Sequence, residues 1–337
     1  MSWQAQLKGD SLSWLLEPDP PGVSYLALQR LTGCAPADPQ LLAARQAAYT
    51  QGPIAAVLAA MHPDGYWVEP GPGYWPKYRS SVWSIQLLAQ LGASAAGDPR
   101  IAQACTYLLD HALTPAGQFT ASGAPSGTVD CLQGELIGSL MALGYNDPRL
   151  DLAYEWMART VTGEGLAPSN DRDSPLRYYA GKCGPLFACG ANDKLSCAWG
   201  ATKVMLAFGR LPVERRTPLI QRAIQQGVDF LFSVDPATAS YPSGYSAKPS
   251  GNWWKFGFPV FYVTDLLQVV EALVALGYGS DPRLANALQL ILDKQDAGGR
   301  WALEYDYTGK TWADFGPKKQ PNKWVTLRAL RVLSAVA

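Results

Sequence analysis

The sequence predicts an all-α fold, a single α/α toroid of about six inner and five to six outer helices. Three observations carry this. First, one helix–turn–helix unit recurs in LLAQLGASAAGDPRIAQACTYLLD (87–110), LMALGYNDPRLDLAYEWMART (140–160) and LVALGYGSDPRLANALQLILDK (273–294). Second, strand signals are few and short. Third, the final segment WVTLRALRVL (324–333) is patterned as another inner helix. An open solenoid ends in polar capping repeats, so a ring closed by the last helix (323–337) is the simpler reading. One domain then spans 1–337, with 1–23 as a lead-in.

The elements follow in order. Inner helices are read over 24–33, 80–92, 129–144, 195–209, 264–277 and 323–337. Between them, Pro39, Pro99, Pro148, Pro218 and Pro282 open five outer helices. Glycine ends the first helix of each unit because it accepts the left-handed cap. Asp or Thr then caps the second helix, and Pro takes its first position, where no N–H is required. Weaker copies of the unit occupy 28–49 and 206–232. A Gly-aromatic element follows some outer helices, as in LAAMHPDGYW (58–67), PAGQF (115–119) and LDKQDAGGRW (292–301).

The chain has 337 residues, and its 28 Lys and Arg balance 28 Asp and Glu. A net charge of zero provides no general attraction to nucleic acid or anionic membrane. No apolar run reaches the ~20 residues a membrane helix needs. The N-terminus lacks a secretory layout. With six cysteines in so long a chain, this predicts a reducing cytoplasm and makes disulfides the weakest reading. Phosphate loops, dinucleotide fingerprints and hydrolase elbows are absent from the sequence.

The loops that enter the inner helices share one rim of such a ring. Those at 74–81, 175–194, 250–265 and 310–324 combine aromatic and basic residues. They supply Trp75, Lys77, Tyr78, Arg79, Tyr178, Tyr179, Lys182, Trp253, Trp254, Lys255, Trp312 and Lys323 as candidate ligand-binding residues. Aromatic faces stabilise hydrocarbon and cationic groups, and Lys or Arg grips phosphate. The alternative is a small apolar core covering the end of the ring. PSGYSAKPSGN (242–252) reads as a lid. Acids recur where inner helices begin, at Asp130, Asp193, Asp265 and Asp314. Capping alone explains an acid there. The functional reading is a general acid, with Asp130 and Asp193 the best candidates because each lies near a cysteine.

Cys183, Cys189 and Cys197 cluster within GKCGPLFACGANDKLSCAWG (181–200), and Cys131 begins the preceding inner helix. Four thiolates at one rim would suit tetrahedral zinc, although the spacing matches no standard zinc motif. Buried reduced thiols and one reactive cysteine are the competing readings. Cys34 and Cys105 read as structural.

The QDAGGRW stretch (295–301) resembles the QW repeat of squalene–hopene and oxidosqualene cyclases. The Asp-Pro-Arg hairpins are similar to those of the prenyltransferase and squalene-cyclase repeat proteins. The resemblance covers roughly 24–337 and implies the toroid of class II terpene cyclases and protein prenyltransferase β subunits. It implies an isoprenoid-handling protein, cyclase-like or prenyltransferase-like, with a prenyl or prenyl diphosphate ligand. The sequence departs from both groups. The Asp-x-Asp-Asp acid of the cyclases is absent. NDKLSCAW (192–199) looks like the prenyltransferase zinc segment, with Cys197 at the cysteine position. Leu195 replaces its Asp, and Val263 in FYVTDLL (261–267) replaces its His. Two further readings stand beside this one: a non-catalytic toroid, acting as scaffold or lipid binder, and a carbohydrate-active α/α-barrel enzyme. The sequence does not specify a partner subunit, and leaves peripheral membrane contact open.

Overall fold

A computed structural model describes residues 3–174, 176–178, 183–246 and 248–336. Among them are thirteen α-helices: α1 (Ser11–Leu16), α2 (Val23–Leu31), α3 (Pro39–Gln51), α4 (Pro53–Ala59), α5 (Ser81–Gln90), α6 (Pro99–Ala112), α7 (Asp130–Ala142), α8 (Arg149–Thr162), α9 (Ala198–Arg210), α10 (Pro218–Leu231), α11 (Leu266–Ala275), α12 (Ala285–Asp293) and α13 (Lys323–Ala335). Beta structure among the described residues is limited to isolated bridges. The fold is all-α, as expected.

The helices form a closed ring. α5 packs on α7, α7 on α9, α9 on α11, α11 on α13, and α13 on α2. Leu26 of α2 reaches the turn after α5, where a side chain at Gly92 would collide with it. The six inner helices are thus α2, α5, α7, α9, α11 and α13. Each of the first five is backed by a following outer helix, respectively α3, α6, α8, α10 and α12, and α1 lies against α13. Gly134 lets α7 approach α9 closely, since a Cβ there would lie 2.4 Å from the Lys203 backbone carbon.

The repeat has a local explanation. Asp98 and Asp281 accept from the backbone N–H two residues on, at 2.9 Å each. Their Arg partners, Arg100 and Arg283, fold back on the same carboxylates at 2.7 Å. Asp147 and Arg149 repeat the arrangement at 2.8 Å. The Arg of Asp-Pro-Arg therefore clamps the capping Asp. Two helices begin later than the prolines suggest. Pro148 is the residue before α8, and Pro282 opens a 3₁₀ turn ahead of α12. Gly277, at φ 95°, occupies the left-handed turn after α11.

The Gly-aromatic elements stitch outer helices to inner ones. Trp67 and Trp301 are fully buried. Their indole N–H groups donate to Val57 at 2.8 Å and Ile291 at 2.7 Å. Their backbone N–H groups donate to Ser81 of α5 and Thr326 of α13. At the third copy, Gln133 of α7 accepts from the Phe119 N–H and donates to the Gly117 carbonyl. The ring closes where Lys323 donates to Glu17 Oε2 at 2.8 Å and to the Asp19 carbonyl.

Candidate functional site

The loop before α5 and the loop before α11 meet at the mouth where inner helices begin. The Lys77 ammonium lies over three rings, 5.6 Å from Tyr74, 5.1 Å from Trp75 and 5.0 Å from Tyr262. Tyr78 donates to the Tyr262 hydroxyl at 3.2 Å and packs on Trp83, Phe261 and Tyr307. Arg79 donates to the carbonyls of Gly309 and Lys310 and stacks on Trp312. Trp312 in turn donates to Ser84 of α5 at 2.8 Å. Trp75, Lys77, Tyr78, Arg79 and Trp312 are therefore one constellation.

Five other expected ligand residues make different contacts. Trp253 is buried and donates to Pro236, while Trp254 donates to Ala237, so both tie their loop to the chain after α10. Lys255 is exposed beside Asn252. Lys323 is occupied at the ring seam with Glu17. Tyr178 is half-buried, its hydroxyl pushed up to about 12 by burial and then by Cys183 and Asp130. Tyr179 and Lys182 lie outside the described residues.

Beneath the mouth lies a polar floor that the sequence reading missed. Gln86 of α5, Glu135 of α7, Lys203 of α9 and Gln268 of α11 each come from a different inner helix. Lys203 is 1% exposed; its ammonium donates to the Phe261 carbonyl and to Gln268, and lies 3.4 Å from Glu135. Burial raises the Glu135 carboxyl to about 7, against the pull of Lys203. Burial likewise pushes the Lys203 ammonium down. Gln86 is 2% exposed, and it and Lys203 both oppose the rise of the Glu135 carboxyl. Cys131 stands one turn before Glu135, its thiol raised to about 12 by burial and then by Glu135. Tyr74 is likewise raised to about 12 by burial, with Cys131 and Glu135 contributing. Cys131, Glu135, Tyr74 and Tyr262 all keep part of their surface accessible. Tyr74 and Tyr262 thus link the Lys77 cage to Cys131 and Glu135. A Glu and a Lys inside the otherwise apolar helices GELIGSL and ATKVML were the signal available in the sequence.

The segment before α11 leaves the rim and enters the ring. Phe258 stacks on Trp324 of α13 at 4.7 Å. The Val260 backbone exchanges both hydrogen bonds with Gln90 of α5. Phe261 is fully buried, packs edge-on to Trp83, and presents its carbonyl to Lys203 of α9. A segment that touches α5, α9 and α13, three alternate walls, crosses the lumen.

The two acids expected to be catalytic are placed differently. Asp130 is 4% exposed at the start of α7. Its Oδ1 accepts from the Cys183 thiol at 2.9 Å, and its Oδ2 has no hydrogen bond among the described residues. Burial raises this carboxyl to about 7. Asp193 is exposed, in a left-handed turn with φ 53°. Asp265 caps α11 and is held by Arg328 at 2.8 Å. The four candidate zinc cysteines are engaged with other groups or with one another. Cys183 is engaged with Asp130; the Cys197 thiol is raised first by its hydrogen bond with Cys189 and then by burial. No disulfide joins any of the cysteines among the described residues. Among the described residues no three His, Cys, Asp or Glu side chains are grouped to hold a metal.

No family model matches the chain, and no curated protein matches it. Solved structures do. A protein from Actinoplanes aligns at TM-score 0.30 and 15% identity, over 84% of this chain and 96% of that one. The type II terpene cyclase MstE from Scytonema aligns at 0.31 and 13%, over 84% and 94%. A variant of that cyclase in complex with geranylgeranyl dihydroxybenzoate aligns at 0.32 and 15%, over 84% and 94%. At these values no residue and no activity is carried across.

Proposed function

We propose that this chain is a terpene cyclase-like protein that binds an isoprenoid in the mouth and recess of the ring, with Glu135 as its acid. The observation that carries the reading is a near-neutral carboxyl beneath rings that already hold a cation. A group with a pKa of about 7 remains partly protonated at neutral pH and is suited to giving up a proton. The faces of Tyr74, Trp75 and Tyr262 stabilise the Lys77 ammonium by the same attraction they would offer a carbocation. Protonation of an alkene by Glu135 would place positive charge below these rings. Lys203 would stabilise the carboxylate left behind. Asp130, also near 7, is a second acid at the head of the same helix, shielded by Cys183.

Ligand entry requires displacement of the Lys77 loop or of the segment around Phe261. The filled lumen favours a second reading, a toroid whose centre is structural and which performs no chemistry. One experiment separates the two. Farnesyl and geranylgeranyl compounds are titrated against the intrinsic tryptophan fluorescence, and extracts are screened for cyclised products. The proposal predicts saturable quenching for the wild type, and product formation that falls at least ~100-fold in Glu135→Gln with binding retained. An absence of quenching with every prenyl compound would leave the structural toroid.

A further inference from the structure

A cavity of about 400 Å³ lies on the outside of the ring, between the outer helices α8 and α10 and the turn that follows α9. A volume of this size is that of a small-molecule site. The lining is mainly apolar. Leu211 and Ile220 are buried in it, and Leu152 forms a wall that stays 53% exposed. Tyr154 spends its hydroxyl on the Ala207 carbonyl at 2.9 Å, so it brings an apolar ring to the cavity.

Charges of both signs stand against this apolar lining. Asp151 and Glu155, one turn apart on α8, supply two carboxylates. Arg215, in the 3₁₀ turn Val213–Arg215, supplies a guanidinium. Arg215 donates through Nη2 to Asp151 Oδ1 at 2.6 Å, so the opposite charges of the cavity touch. Glu155 accepts from Arg159 through Oε1 at 2.8 Å. Among the described residues Asp151 Oδ2 and the Nε and Nη1 groups of Arg215 make no hydrogen bond. An exposed ion pair of this kind contributes little to stability. The fold therefore does not depend on keeping Asp151 and Arg215 closed on each other.

We propose that the cavity between α8 and α10 binds a free α-amino acid with an apolar side chain. The site sets an anion and a cation in contact beside an apolar lining. A ligand that matches it carries an ammonium and a carboxylate side by side, next to an apolar group. An α-amino acid bears all three on one carbon. Its carboxylate takes the forked donors of Arg215, and its ammonium takes Asp151 and Glu155. Its side chain displaces water from Leu152, Leu211 and Ile220. A hydrocarbon would leave both charges unmatched, and a simple cation or anion would leave one of them so. The cavity lies outside the lumen and does not rest on the isoprenoid reading.

The test titrates four compounds into the full-length chain, with its leucine and isoleucine methyl groups labelled and followed by NMR. Leucine is the probe. Leucinamide lacks the carboxylate, isocaproate lacks the ammonium, and glycine lacks the apolar group. Leucine is expected to shift the methyl signals of Leu152, Leu211 and Ile220 saturably. Leucinamide and isocaproate should each bind about tenfold more weakly, and glycine should leave the signals unmoved. Added salt should weaken the binding of leucine. In Arg215→Gln, leucine should fall to the affinity of leucinamide, so that the two are no longer distinguished. Thermal unfolding checks that this variant is intact, and the wild-type series stands without it. The proposal is overturned if leucine leaves the three signals unmoved, or if either leucinamide or isocaproate binds the wild type as leucine does. It is equally overturned if Arg215→Gln binds leucine as the wild type does. None of these compounds carries a prenyl chain, so no result here bears on the isoprenoid reading.

Discussion

At the scale of single residues, the site is governed by two carboxyls whose ionisation is suppressed by burial. Asp130 moves from 3.8 to about 7 and Glu135 from 4.5 to about 7. Both are raised in the fold, so their contribution to stability is complete below the unfolded values. It is lost as pH rises through about 7. For Asp130 the shift corresponds to a cost of ionisation on the order of 4 kcal/mol. Urea unfolding between pH 5 and 8.5 should therefore show wild-type stability falling toward alkaline pH. Asp130→Asn should flatten the slope and be the more stable protein at pH 8.5. A variant with an unchanged slope would show that Asp130 does not carry this linkage. Lys203→Met should destabilise by about 3–5 kcal/mol at pH 8, because it strands a buried carboxylate. At pH 6 the loss should shrink as Glu135 protonates. Asp130 was legible in the sequence because it opens an inner helix beside a cysteine. Glu135 and Lys203 were not, because a charge within an apolar helix reads as an isolated exception until α7 and α9 are seen side by side.

At the scale of elements, the repeat junctions and the tryptophan stitches hold hairpin to hairpin. Trp301→Ala removes a fully buried indole and its bond to the Ile291 carbonyl of α12. It should cost about 3–5 kcal/mol. Asp281→Ala removes only a cap and should cost about 1 kcal/mol. Equilibrium urea unfolding of the two variants distinguishes these magnitudes, and equal losses would contradict the stitching role. The junctions were readable because Gly, Asp and Pro act through local backbone chemistry. The segment at 257–263 was not, because its course through the lumen is set by contacts with Gln90, Lys203 and Trp324, all remote in sequence. For the same reason Trp253 and Trp254, expected at the mouth, serve instead to tie a loop to the chain after α10.

At the scale of the whole molecule, closure of the ring gives it two unlike mouths. Inner helices begin at an aromatic mouth above Glu135, whereas the last turns of α2 and α9 at the other end carry Arg30 and Arg210. α13 makes this possible by packing against both α11 and α2. A chain truncated before Lys323 should lose its cooperative unfolding transition, as followed by circular dichroism. A sharp native-like transition would mean that the remaining helices are stable as an open arc. The most direct test of the account is an NMR pH titration of the Glu135 carboxyl carbon, with and without a geranylgeranyl compound. The account predicts titration near pH 7 in the free protein and a further rise when the apolar chain displaces water from the recess. A carboxyl that titrates near 4.5 and is unmoved by the prenyl compound would contradict it.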